Sequence, residues 1–184
     1  FVSVDGWGKQ AEYMRHGLDY KKMMANVDDF LTMIPVRNSV TFIITYNNLS
    51  VTSLRALLED IQRLRKKHST TYQRVWFDIP LLRQPAWQQI TLLPESYQLI
   101  HQENIEWMQA NSGEDQTDYT LFKDFEIQKM QRNLAYWQKN YANTTEQKKN
   151  FYTFFTEHDR RRGTSLLKTF PEMKEFWEEC RNTQ

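Results

Sequence analysis

From Ser39 to His68 the chain reads SVTFIITYNNLSVTSLRALLEDIQRLRKKH, a β-branched apolar run followed by a polar turn and a helical stripe. Val40, Phe42 and Ile44 alternate with Thr41, Ile43 and Thr45, and a run apolar on both faces suits a strand covered on both sides, as in a parallel sheet. Asn47, Asn48 and Ser50 interrupt the pattern. Leu54, Leu57, Leu58, Ile61 and Leu64 then recur at intervals of three and four, with Arg55, Glu59, Asp60, Arg63 and Arg65 largely on the other side. The shortest way to bury that stripe is back across the strand before it, which predicts a second parallel strand at RVWFDIP, residues 74–80.

Upstream, FVSVD has period two, and Gly6, Trp7 and Gly8 mark a turn. Tyr20, Met23, Met24, Val27, Leu31 and Ile34 predict a helix over 19–33 that Pro35 stops. Strands at 1–5, 39–46 and 73–79 are therefore expected in one parallel sheet in sequential order, with helices 19–33 and 52–67 on the same face. The segment LLRQPAWQQITLLPE has neither period and reads as a loop with a short extended piece. Everything after Pro94 reads as helix. One helix covers 95–110, and a second starts near Asp118, whose carboxylate is placed to cap it, with Phe122, Ile127, Met130, Leu134, Trp137 and Tyr141 along one stripe. A third runs from Thr145 to Gly163, and a last one after Pro171 buries Met173, Phe176, Trp177 and Cys180. The expected fold class is α/β, with residues 1–93 forming part of a (β/α) barrel of three parallel strands with crossover helices, and residues 94–184 an all-helical C-terminal extension.

Composition narrows the function classes. The 24 basic and 23 acidic side chains nearly cancel, so neither nucleic acid nor a membrane surface is expected as a partner. One cysteine, Cys180, excludes an internal disulfide framework or a cysteine-only metal site within this chain. No apolar run is long enough to span a bilayer and no signal peptide opens the chain, which makes a cytoplasmic location the expectation. Phe1 begins what reads as the middle of a strand, and the chain is expected to be the later part of a longer protein. The four histidines lack His-x-x-x-His spacing, and neither a Gly-x-Ser-x-Gly elbow nor a phosphate-binding glycine loop occurs.

Chemistry is expected at the carboxyl ends of parallel strands. Alternation puts Ser3 and Asp5, Thr45 and Asn47, and Trp76 and Asp78 on one face, a polar mouth with one aromatic ring, and Val4, Ile44 and Phe77 on the other. The plain alternative is that these are ordinary strand-end residues meeting polar turns. HDRRRG, residues 158–163, is the most basic cluster; it reads either as a grip for phosphate or an acidic partner, or as cations that favour a helix C-terminus ahead of a capping glycine.

VSVDGWGKQAEYMRHG, TFIITYNNLSVTSLRALLEDI, WFDIP and LLRQPAW together resemble the second half of a radical S-adenosylmethionine protein with a short, twitch-like C-terminal extension, and the tail FYTFFTEHDRRRGTSLLKTFPEMKEFWEEC is similar to the tails of that group. The resemblance covers most of the chain. Its Ser-x-Asp-Gly pattern falls on Ser3, Asp5 and Gly6, with Arg15 ten residues after Asp5. It implies that Ser3, Asp5 and Arg15 serve S-adenosylmethionine, with Thr45, Asn47, Trp76 and Asp78 lining the same mouth. It also implies reductive cleavage of the cofactor to a 5′-deoxyadenosyl radical by a [4Fe-4S] cluster. The Cys-x-x-x-Cys-x-x-Cys motif that holds such a cluster is absent from this sequence, so cluster and full pocket are expected only with the missing N-terminal half of the barrel; this chain alone is expected to bind no cluster and to have no radical activity, and its catalytic residues stay unassigned. The substrate stays unassigned. The competing reading is a non-catalytic binding or scaffold module whose aromatic helices dock a partner.

Overall fold

Alternation along the three predicted strands resolves into a parallel sheet in the order β1 (Val2–Ser3), β2 (Val40–Ile43), β3 (Val75–Asp78) in the computed structural model, which describes residues 1–34, 38–69, 71–115 and 117–183. Register pairs Val2 with Phe42 and Phe42 with Phe77. The strands are shorter than expected, but their ladder runs on: Val4 N donates to Ile43 O at 3.1 Å, Tyr46 N to Pro80 O at 2.8 Å and Leu82 N to Tyr46 O at 2.9 Å. Around the sheet, α1 (Gly8–Met14) and α2 (Tyr20–Met33) follow β1, and α3 (Leu54–His68) follows β2. Beyond β3 come two 3-10 turns over 86–92, then α4 (Ser96–Ala110), α5 (Asp124–Lys139), α6 (Thr145–Arg162), α7 (Leu166–Thr169) and α8 (Lys174–Arg181). The protein is thus a mixed fold in which a small parallel sheet carries eight α-helices among the described residues.

The two faces of the sheet differ. Val4, Phe42, Ile44, Val75, Phe77 and Ile79 are buried, in one core with Leu57, Leu58 and Ile61 of α3 and with Val27 and Leu31 of α2, which lies against α3. On the opposite face Ser3 is exposed, and Thr41, Ile43, Trp76 and Asp78 are only half-buried. Cover on both faces, expected from the apolar β2 run, is therefore only partly supplied by the described residues. Pro35, the expected stop of α2, lies outside the described residues; the helix ends at Met33, and Arg74 from the start of β3 donates to Leu31 O and Ile34 O, binding carbonyls left free at the helix end.

The helical half is tied to the sheet by polar contacts as well as by packing. Arg65 of α3 and Glu126 of α5 form a fully buried pair, Nη1–Oε2 3.0 Å and Nη2–Oε1 2.5 Å, and Arg65 Nε also donates to Val75 O at 3.0 Å. His101 of α4 is wholly buried, with Nδ1 2.7 Å from the Tyr46 hydroxyl and Nε2 2.9 Å from Met130 O. A neutral ring protonated on Nε2 satisfies both contacts. Burial pushes the His101 pKa down to about 4. Because the unfolded ring takes up its proton near 6.5, this histidine's contribution is complete above that pH and is lost as pH falls towards 4. A displacement of that size corresponds to about 3 kcal/mol. Urea denaturation is expected to show stability falling between pH 6.5 and 4, with a shallower fall in His101→Gln; parallel slopes would place the acid sensitivity elsewhere.

Two expected elements are corrected. Gly6 to Gly8 do not merely turn the chain: Gly8, with φ 55°, opens α1, which the sequence pattern missed. Gly6 serves a different purpose, since a Cβ there would lie 2.5 Å from Ser53 Oγ and 2.6 Å from Met14 Cε and would force these side chains to move. Asp118 does not cap α5. Its carboxylate accepts from Thr120 N and Oγ1 in a local turn, while the helix starts six residues later, where Glu126 Oε2 accepts from Lys123 N at 3.0 Å. The bounds expected for α6 are found: it starts at Thr145, behind a Thr144 hydroxyl that accepts from Gln147 N, and Gly163 closes it with φ 63°.

Candidate functional site

Past the last residues of β1 and β2 the chain turns sharply, and the turns bring polar groups together. Asn47 builds the β2 turn, donating through Nδ2 to Thr45 O and accepting at Oδ1 from Leu49 N, both at 2.9 Å. This Asx-type turn points the strand end towards the loop after β1. There the Asp5 carboxylate receives Thr45 N at 2.9 Å and Arg15 Nη2 at 3.2 Å on Oδ1, and lies 2.8 Å from Arg15 Nε through Oδ2. Asp5 is almost completely buried and Arg15 partly exposed. One carboxylate thus joins the ends of β1 and β2 to the chain leaving α1.

These groups form one wall of a cleft of about 360 Å³. Asp5, Arg15, Thr45 and Asn47 all line it, so four of the seven residues singled out in the sequence converge. The other three do not line this cleft. Ser3 sits exposed on the open sheet face, Trp76 packs beside Phe125 of α5 with ring centres 6.3 Å apart, and Asp78 binds Lys129 Nζ of α5 at 2.6 Å. Their phase along the strands was read correctly; neighbours on α5 draw Trp76 and Asp78 away.

The opposite wall comes from α6, a helix the strand-based argument left out. Phe154, Phe155, His158 and Arg162 line the cleft, with Leu49 and Leu82 between the walls. The signal was legible: positions 151, 154, 155, 158 and 162 share one helical face, on which an apolar stripe becomes basic towards the C-terminus. HDRRRG divides accordingly. Arg160 and Arg161 both pair with Glu157, which they hold well below the usual carboxylate range, at about 2. Asp159 accepts from the Tyr13 hydroxyl at 2.9 Å, from Thr164 Oγ1 at 2.7 Å and from Leu166 N at 2.7 Å. His158 and Arg162 remain for the cleft. Partial burial, reinforced by the Arg162 charge, lowers the His158 pKa.

Among the described residues no group of three His, Cys, Asp or Glu side chains is placed to hold a metal ion. Cys180 is buried in the core of the helical tail, where burial pushes its thiol up to about 12. No described helix is long and apolar enough to cross a membrane. In comparisons with known proteins, no family model, no curated protein and no solved structure matches the chain.

Proposed function

We propose that this chain is the carboxyl-side part of a radical S-adenosylmethionine enzyme, in which a segment outside this sequence supplies the rest of a (β/α) barrel and the cysteines for a [4Fe-4S] cluster. The observation that carries the reading is the asymmetry of the sheet. Three sequential parallel strands are sealed on one face by their helices and left half-open on the other, as the inner wall of an incomplete barrel would be. A cleft lined by Asp5, Arg15, Thr45 and Asn47 at the carboxyl ends of β1 and β2 supports the same reading. Once cleaved, the cofactor supplies a radical for hydrogen abstraction; the role of these residues is to hold it.

Their geometry sharpens the roles. Asp5 Oδ1 already accepts two hydrogen bonds, from Thr45 N and Arg15 Nη2, which leaves Oδ2 as the oxygen for one ribose hydroxyl rather than a pair. Arg15 donates Nη2 to Asp5, holds Nε beside Asp5 Oδ2 without a hydrogen bond to it, and keeps Nη1 for a ligand carboxylate. The Asn47 side chain is held by its turn and contributes chiefly shape. The cytoplasm, where thiolate-held clusters stay reduced, is the proposed location.

In the longer protein with its cluster reconstituted, Asp5→Ala is expected to weaken S-adenosylmethionine binding by about 1–3 kcal/mol in calorimetry, because Arg15 and Thr45 N lose a buried acceptor. Unchanged affinity in both Asp5→Ala and Arg15→Ala, with circular dichroism intact, would remove the cofactor from this cleft. A scaffold role is favoured by one observation: the large apolar ring of Phe154 on α6 is 41% exposed. Sequence encoded just upstream of Phe1 discriminates, a three-cysteine motif supporting the enzyme and a start codon at that point the module.

A further inference from the structure

The cleft has two chemically different walls. Asp5 and Arg15 neutralise each other on the strand side. On the α6 side Arg162 is exposed and makes no hydrogen bond or ion pair among the described residues, although it follows three residues that are all engaged. His158, one turn before it, has Nδ1 buried without a hydrogen-bond partner; the nearest carboxylate oxygen, Asp159 Oδ1, is 3.6 Å away and already occupied by Tyr13 and Thr164. The lining therefore carries one uncompensated cation beside an imidazole with unmet hydrogen-bonding capacity. Next to them, Phe154 presents its ring at the mouth and is backed by Trp87, with centroids 4.2 Å apart.

We propose that the α6 wall is an anion subsite for a small substrate bearing a carboxylate or phosphate beside a flat apolar group, with Arg162 holding the anion, His158 flanking it and Phe154 stacking on the flat part. Guanidinium forks favour planar and tetrahedral oxyanions, an exposed aromatic face favours a ring, and about 360 Å³ admits a molecule of that size. Assigning the anion to the substrate, rather than to the methionyl end of S-adenosylmethionine, rests on the reading above; the anion subsite itself does not.

The full chain can be titrated with benzoate and with phenyl phosphate, following the Trp87 indole and His158 ring resonances by NMR, with benzamide as the neutral control. Saturable shifts are expected with both anions and at least tenfold weaker binding in Arg162→Gln. Arg160→Gln, which removes a cation of the same turn that is paired with Glu157, is expected to bind like wild type. Equal binding of benzamide, or equal losses in the two variants, would overturn the subsite. Adding S-adenosylmethionine separates the two layers. If it binds without displacing benzoate, the anion is the substrate's; if it displaces benzoate competitively, the substrate assignment fails. If benzoate binds in an Arg162-dependent way but the reconstituted longer protein binds no S-adenosylmethionine, the cofactor reading fails and the anion subsite stands.

Discussion

Glu126→Ala is expected to destabilise the protein by about 3–5 kcal/mol in urea denaturation, because it strands the Arg65 guanidinium in a site with no access to water. The Lys123 amide at the start of α5 loses its acceptor in the same step. The pair's net worth is another matter. Two ions taken out of water recover little beyond their desolvation cost, so Arg65→Met combined with Glu126→Leu is expected to cost far less than either single change. Arg65 also serves Val75 O and Leu121 O, which limits that recovery, since two carbonyls near the sheet would lose a donor. A double variant as unstable as the sum of the singles would mean that those carbonyl contacts, and not the ion pair, hold α3 to α5.

Trp137→Ala is expected to cost about 3–5 kcal/mol, the loss of a large ring from a site with no exposure. Phe154→Ala, by contrast, is expected to cost under about 1.5 kcal/mol, since its partly exposed ring gives up mainly a stacking contact with Trp87. Trp137→Phe tests the polar side of the argument. The indole Nε1 is buried without a hydrogen-bond partner, so removing it relieves a penalty while volume is lost, and the cost should fall well below that of the alanine variant. Thermal denaturation of the three variants orders them; an equal cost for the two rings would mean that α6 is packed far more tightly than its exposure indicates.

Where sequence and structure agree, a strong local period did the work. Two-residue alternation placed all three strands in order, and the three-and-four stripe placed α3 with its buried Leu57, Leu58 and Ile61. Where they part, the deciding partner is distant in sequence. Asp78 has the right phase for the cleft but is bound by Lys129, fifty-one residues on. α1 was illegible because seven residues bury only Ala11 and Tyr13, too few to show a helical stripe. Half of the cleft was in plain view as a basic cluster, yet only the docking of α6 across the strand ends decides that Arg160 and Arg161 serve Glu157 while His158 and Arg162 turn inward.

The Asp159 carboxylate gives the cleft a mechanical character. It joins α1 through Tyr13, the end of α6 through Thr164, and the start of α7 through Leu166 N, so the α6 wall is riveted to an element that follows β1 directly. Widening the gap requires α6 to part from α1, which breaks the Tyr13–Asp159 bond and unpacks the Tyr13 ring from Phe155 and His158 together, a sub-global opening event rather than a side-chain fluctuation. Traffic through the mouth is then governed by how far the Phe154 ring can swing against Trp87, on the fast timescale of exposed rotamers, while the spacing of the walls changes only with that slower opening. The cleft works as a fixed gauge with a small moving shutter, so molecules too large for it are excluded by size and not merely slowed.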